Sequence, residues 1–178
     1  MVRAWIMDES DADKRLPHMT EPPQMVDLDY LKELGILYYK LDADNWKEEG
    51  KLDEIRKERN YNYEDEVEAT RETLPSYDAT LEMWYEEHIH SDEEIRFILD
   101  GSGYFDVRNR NDKWIRIETE KGDMLILPAG IYHRFTMDTK DFIKAKRLFS
   151  GVPVWTAHKR PQEEHESRRN YVKNYSPM

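Results

Sequence analysis

The chain has 178 residues, with 27 basic against 38 acidic side chains and a formal net charge of −11. Hydrophobic residues make up 38% and charged residues 37%, and 5 Trp, 11 Tyr and 5 Phe are more aromatic side chains than a disordered polymer carries, so one folded domain is expected. The acidic balance argues against nucleic-acid binding, which needs a concentrated basic surface; the basic groupings at 144–147 and 159–160 are too short and interrupted to supply one. The absence of cysteine excludes disulfide and thiolate chemistry, so any metal site must be built from His and carboxylate. Four acids fall among the first 13 residues and no apolar run does, so no signal peptide is expected. No stretch approaches the roughly 20 apolar residues of a membrane helix. The expected address is the cytosol, with the nucleus open to so small a chain.

In chain order, the first third reads as mostly helical. Asp27 can cap a helix carrying Leu28, Leu31 and Leu34 on one stripe, with Gly35 as its stop. Residues 36–41 suit a short strand, 51–59 a charged helix, and 64–72 a third helix that ends before Leu74-Pro75. From Thr80 the pattern changes to period two. Strands are expected at 81–90, 94–99, 104–108, 114–117, 124–127, 131–137 and 142–149, with 151–155 as an extension of the last. Between them lie turn sequences such as Asp100-Gly101-Ser102-Gly103 and Pro128-Ala129-Gly130. Short, evenly spaced strands indicate a small all-β barrel or sandwich. The polar tail from His158 reads as irregular, and His18, His158 and His165 read as surface residues. The organisation is thus one mainly β domain over 1–178: an N-terminal helical extension to about residue 75, a barrel core at 76–157, and the tail.

The chemistry concentrates in His88-Ile89-His90, Glu94 and His133. Residues i and i+2 of a strand share a face, so His88 and His90 project side by side, and three intervening residues allow a turn that returns Glu94 on the next strand. Glu94, Arg96 and Ile98 share one face of that strand, and Ile131, His133, Phe135 and Met137 share one face of another. Three imidazoles and one carboxylate suit a borderline divalent ion, and an octahedral ion would keep two adjacent open positions. A tetrahedral zinc would be saturated by the same set and therefore structural.

These residues reproduce the two cupin motifs. His88-x-His90-x3-Glu94-x6-Gly101 matches the first and Gly122-x5-Pro128-x-Gly130-x2-His133 the second. Two positions depart from the pattern: Glu82 stands where the first motif opens with Gly, and Met137 where the second ends with Asn. The wider chain resembles the eukaryotic acireductone dioxygenases. The likeness runs through Leu37-Tyr38-Tyr39-Lys40-Leu41-Asp42-Ala43-Asp44, Glu86-Glu87-His88-Ile89-His90, residues 98–108 and residues 127–135. It fades near residues 8–24 and over the last dozen residues.

The resemblance implies a jelly-roll cupin barrel with one Fe(II) or Ni(II) per monomer, held by His88, His90, Glu94 and His133. It implies acireductone and dioxygen as substrates, in the oxidative step of methionine salvage. Iron would give 4-methylthio-2-oxobutanoate and formate; nickel would give 3-methylthiopropanoate, formate and carbon monoxide. Arg96 is the candidate catalytic and substrate-binding residue, its alternative being a structural ion pair with Glu94 or Glu86. Trp84, Ile98 and Phe135 are candidate walls for the methylthio chain, with core packing as an equal account. Competing readings are another cupin enzyme, a structural zinc site, and an acidic binding module. For the last, the family resemblance names the cytoplasmic tail of membrane-type-1 matrix metalloproteinase, at the cytosolic face of the plasma membrane. The acidic surface makes a monomer the expected state.

Overall fold

A computed structural model describes residues 2–175. Met1 and the last three residues of the expected tail lie outside the described residues. In chain order the elements are β1 (Arg3–Ile6), β2 (Met25–Val26), α1 (Leu28–Glu33), β3 (Leu37–Lys40), α2 (Trp46–Glu49), α3 (Lys51–Arg59), β4 (Tyr63–Thr70) and α4 (Tyr77–Tyr85). They continue with β5 (His88–Ile89), β6 (Glu94–Arg108), β7 (Trp114–Glu120), β8 (Asp123–Leu127), β9 (His133–Met137), β10 (Phe142–Phe149), β11 (His158–Lys159) and α5 (Glu166–Tyr175).

The strand β6 organises the barrel. Its first half pairs antiparallel with β8 and β10, and its second half with β7 and β9. Two strand layers result, β3-β8-β6-β10-β4 and β2-β1-β7-β6-β9-β5-β11. The expected turn at 100–103 is instead a bend inside one continuous strand. Gly101 sits there at φ +76°, and a Cβ on it would fall 2.3 Å from the Phe142 carbonyl oxygen, so only glycine fits the crossing. A register shift at Lys144/Ala145 in β10 accommodates the same bend.

Between the layers lies a core that includes Ile98, Phe105, Val107, Ile117, Leu125 and Ile143. A second apolar cluster forms on the outer face of the β8-β6-β10 layer, where Ile95, Phe97, Met124, Ile126 and Leu148 meet Leu52 and Ile55 of α3. Burying each of those two helix residues is worth about 1.5–3 kcal/mol, which holds a helix whose polar remainder would not form alone. β8 is therefore buried along its whole length, covered on both faces.

Helix α1 forms as expected, with the Asp27 carboxylate accepting from the Tyr30 amide at 2.9 Å. Five further expectations change. Residues 64–72 are not a helix: 63–70 form edge strand β4, whose acids face basic residues of β10, Glu68 opposite Lys144, Glu66 opposite Lys146 and Asp65 opposite Arg147. Residues 81–90 are not one strand: α4 occupies 77–85, turning Leu81 and Trp84, three apart, toward the core, before β5 begins at His88. Residues 151–155 leave the sheet. The tail is ordered: β11 pairs with β5, and α5 buries Tyr171 in the barrel cluster. The first third is likewise no purely helical extension, since β1 to β4 all join the sheets.

Candidate metal centre

The structure brings His88, His90, Glu94 and His133 together at one end of the barrel. β5 and β9 pair with His88 opposite His133, and the short turn after His90 returns Glu94 at the start of β6. One ligand atom from each histidine lies within 4.8 Å of the other two. Glu94 Oε1 is 3.4 Å from His90 Nε2, and Oε2 is 3.6 Å from His133 Nε2.

The backbone fixes which ring nitrogen is available. His88 Nδ1 donates to the Glu86 carbonyl at 2.6 Å, His90 Nδ1 to the Thr156 carbonyl at 2.8 Å and His133 Nδ1 to the Ile131 carbonyl at 2.9 Å. A carbonyl can only accept, so the proton of each neutral ring stays on Nδ1 and the Nε2 lone pair points at the common centre. His133 Nε2 is buried and has no hydrogen-bond partner among the described residues, a cost a protein rarely leaves unmet. Converging lone pairs beside a carboxylate fit a divalent cation.

The charge states of His88 and Glu94 agree with that fit. Burial, aided by the neighbouring His133, pushes His88 down to about 4, so its ring is neutral at physiological pH. Burial would raise the Glu94 carboxyl, but the Arg96 guanidinium and the adjacent imidazoles hold it well below the usual carboxylate range. Burial opposes protonation of His90 as well, and the Glu94 carboxylate outweighs it, raising His90.

Arg96 occupies the face predicted for it. Nη2 donates to Glu94 Oε1 at 3.3 Å and Nη1 to the Ile95 carbonyl at 3.0 Å. The ion pair with Glu94 is thus present; the one with Glu86 is not, because Glu86 pairs with Lys159. Arg147 stands opposite Arg96 across the β6–β10 register and is held by both Asp65 oxygens, at 2.8 and 2.6 Å.

The three expected wall residues are found in the barrel interior. Trp84 lies on α4 rather than on a strand and meets Phe135 edge to face at 5.7 Å, while Ile98 is buried in the main core. The small cavity beside the ligands, about 10 Å³, is bordered instead by Arg96, Phe149, Val154 and Trp155. Sequence reading missed the 150–157 segment, whose only signal was a tryptophan in a Gly- and Pro-containing stretch. It also misread His18, which is buried with both ring nitrogens bonded, to Asp8 and to the Asp13 carbonyl, each at 2.8 Å. His158 and His165 are half-buried and stack at 4.7 Å. A larger cleft, about 920 Å³, lies on another side of α4 among Asp8, Tyr85, Trp114 and Arg134, and none of the four candidate ligands borders it.

The model of the ARD/ARD′ family matches residues 3–157. The chain belongs to that family. Its relatives include acireductone dioxygenases of Branchiostoma floridae, 57% identical over 97% of both chains, Rattus norvegicus, 56% over the same shares, and Homo sapiens, 55% over the same shares. Among solved structures, an acireductone dioxygenase from Bacillus anthracis with a cadmium ion in its active centre superposes with a TM-score of 0.69. That match covers 88% of this chain and 97% of the other at 22% identity, and it shows the common cupin fold. The family match takes in all four candidate ligands and Arg96, and stops before β11 and α5.

Proposed function

We propose that the chain is a metal-dependent dioxygenase that cleaves acireductone with dioxygen, using Fe(II) or Ni(II) held by His88, His90, Glu94 and His133. The observation that carries it is the orphaned Nε2 of His133, facing two more imidazoles and a carboxylate inside a family whose relatives are acireductone dioxygenases along nearly their whole length.

The bound ion supplies Lewis acidity and a template for the oxygens of an ene-diolate. The protein's residues do the rest. The Glu86, Ile131 and Thr156 carbonyls hold the imidazoles in one tautomer and orientation, so the centre is organised before substrate arrives. Arg96, whose Nε has no hydrogen bond among the described residues, offers a cationic edge to a substrate oxyanion beside Glu94. Phe149, Val154 and Trp155 border a small cavity beside His90, Glu94 and Arg96, with room for about one water, and give this side of the site an apolar wall.

Metal-free protein reconstituted anaerobically with each ion, then given acireductone and dioxygen, tests the reading. The expected products are 4-methylthio-2-oxobutanoate and formate from the iron form, and 3-methylthiopropanoate, formate and carbon monoxide from the nickel form. Dioxygen uptake no faster than that of free metal would overturn it.

A further inference from the structure

Two of the four candidate ligands rest on a part of the chain that the family model does not reach. β5 is only two residues long. On one side its pairing with β9 consists of His88 opposite His133; on the other, β11 pairs His158 with Ile89 and Lys159 with His88. Past β11, the Arg160 amide donates to the Glu87 carbonyl at 3.2 Å. Its guanidinium bonds the Glu87 carboxylate at 2.7 Å and both oxygens of Asp112 at 2.9 and 3.1 Å. Glu87, the residue before His88, is gripped again by Arg108 at 2.8 and 3.0 Å. The outer edge of the strand bearing His88 is therefore held by residues 158–160.

His133 is held in a second way. Tyr132, its chain neighbour, is fully buried, with Arg160 over its ring at 4.4 Å and Arg168 at 4.2 Å. Its hydroxyl bonds Glu163 and accepts the Gln162 amide at 2.7 Å. Arg168 also donates to the Gly130 carbonyl at 3.2 Å, and a Cβ on Gly130 would fall 2.2 Å from the Ser167 carbonyl oxygen. The start of α5 thus sits directly on the loop that delivers His133. The same loop is tied to the other ligand strand, because the Gly130 amide donates to the His90 carbonyl at 3.1 Å. α5 is anchored to the barrel by Tyr171, whose hydroxyl donates to the Leu34 carbonyl at 2.9 Å.

We infer that residues 158–175 are a positioning element of the metal centre, β11 fixing His88 and α5 fixing His133, although the segment contains none of the four candidate ligands. The inference rests on the ligand assignment above, but its test reads metal affinity and needs no turnover. Residues that orient ligands from outside the coordination sphere typically change metal affinity 10- to 100-fold when lost.

The experiment compares the full chain, a chain ending at residue 157, and the full-length double variant Arg160→Gln, Arg168→Gln. For each, the Ni(II) dissociation constant is measured by competition with a chelator, and the metal-free fold is followed by circular dichroism and thermal melting. The expected result is a retained fold with affinity weakened 10- to 100-fold in the shortened chain and somewhat less in the double variant. A synthetic peptide of residues 158–175 is expected to restore affinity to the shortened chain in a saturable manner. If the shortened chain does not fold, the double variant decides. Affinity within twofold of the full chain in a folded variant would overturn the inference, as would a lowered melting temperature with the dissociation constant unmoved. Failure of the full chain itself to bind Ni(II) would strike the ligand assignment instead.

Discussion

His18 and His133 are both buried, and the contrast between them separates a packing histidine from a candidate ligand. In His18 each ring nitrogen meets a partner from its own loop, the Asp8 carboxylate and the Asp13 carbonyl. In His133 only Nδ1 is bonded, and Nε2 is buried without a partner, opposite two more rings oriented in the same way. Burial is common to both. What differs is a polar atom left for something the chain does not contain, and that difference, not the residue type, carries the functional assignment.

The comparison is most sharply broken at the ligands. His133→Ala removes one of four donors, and metal content and dioxygenase activity are expected to fall together, activity by at least about 10³-fold given the metal's role as Lewis acid and template. Retained turnover with stoichiometric metal would place the centre elsewhere. Arg96→Ala is expected to keep the metal and lower kcat about 10- to 100-fold, through loss of one charge-assisted contact to the substrate; metal analysis alongside steady-state kinetics checks the split.

Stability against pH probes the neutral state of His88 in the metal-free protein. Its folded pKa is about 4, against an ordinary value of 6.5. Below about pH 6.5 the unfolded chain takes up a proton that folded His88 refuses until about pH 4. The stabilisation is therefore present above this window and lost as pH falls through it, by up to about 3 kcal/mol. His90 is raised and works in the opposite sense. The His88→Ala variant should thus show a visibly shallower acid limb in denaturant titrations, and an unchanged limb would contradict the assignment. The smallest effect is expected at the packing histidine: His18→Ala should cost about 1–2 kcal/mol, from the lost hydrogen bonds to the Asp8 carboxylate and the Asp13 carbonyl, while the metal dissociation constant stays put. A shift in metal affinity there would erase the distinction.

The sequence carried the site better than the frame around it. His88, His90, Glu94 and His133 were legible because strand alternation and one short turn are local rules. β7, β8 and β10 were legible because Gly- and Asp-bearing turns bound them, whereas β6 read as two strands because Asp100-Gly101-Ser102-Gly103 has the composition of a turn. β4 was not: a run as acidic as Tyr63–Thr70 reads as helix until the basic residues of β10 are known to lie opposite, and that pairing spans about half the chain. α4 was obscured because Leu81, Met83 and Tyr85 alternate with period two, while only Leu81 and Trp84 mark the helical face. The tail hid its order because a single residue, Tyr171, carries most of its apolar anchoring. Trp155 was missed as a border of the site because only the fold carries its loop back over Arg96, whose guanidinium lies 5.6 Å from the ring.

The same acidic strand bears on self-association. Among the described residues β4 pairs with β10 on one edge and with no other strand, which leaves a row of backbone donors and acceptors that could template another chain. Glu64, Asp65, Glu66 and Glu68 lie along that row, and a second copy pairing there antiparallel would bring acids against acids at strand spacing, about 5 Å. The carboxylates that neutralise the lysines and arginine of β10 within the molecule therefore also end the sheet, discouraging growth from one copy to the next.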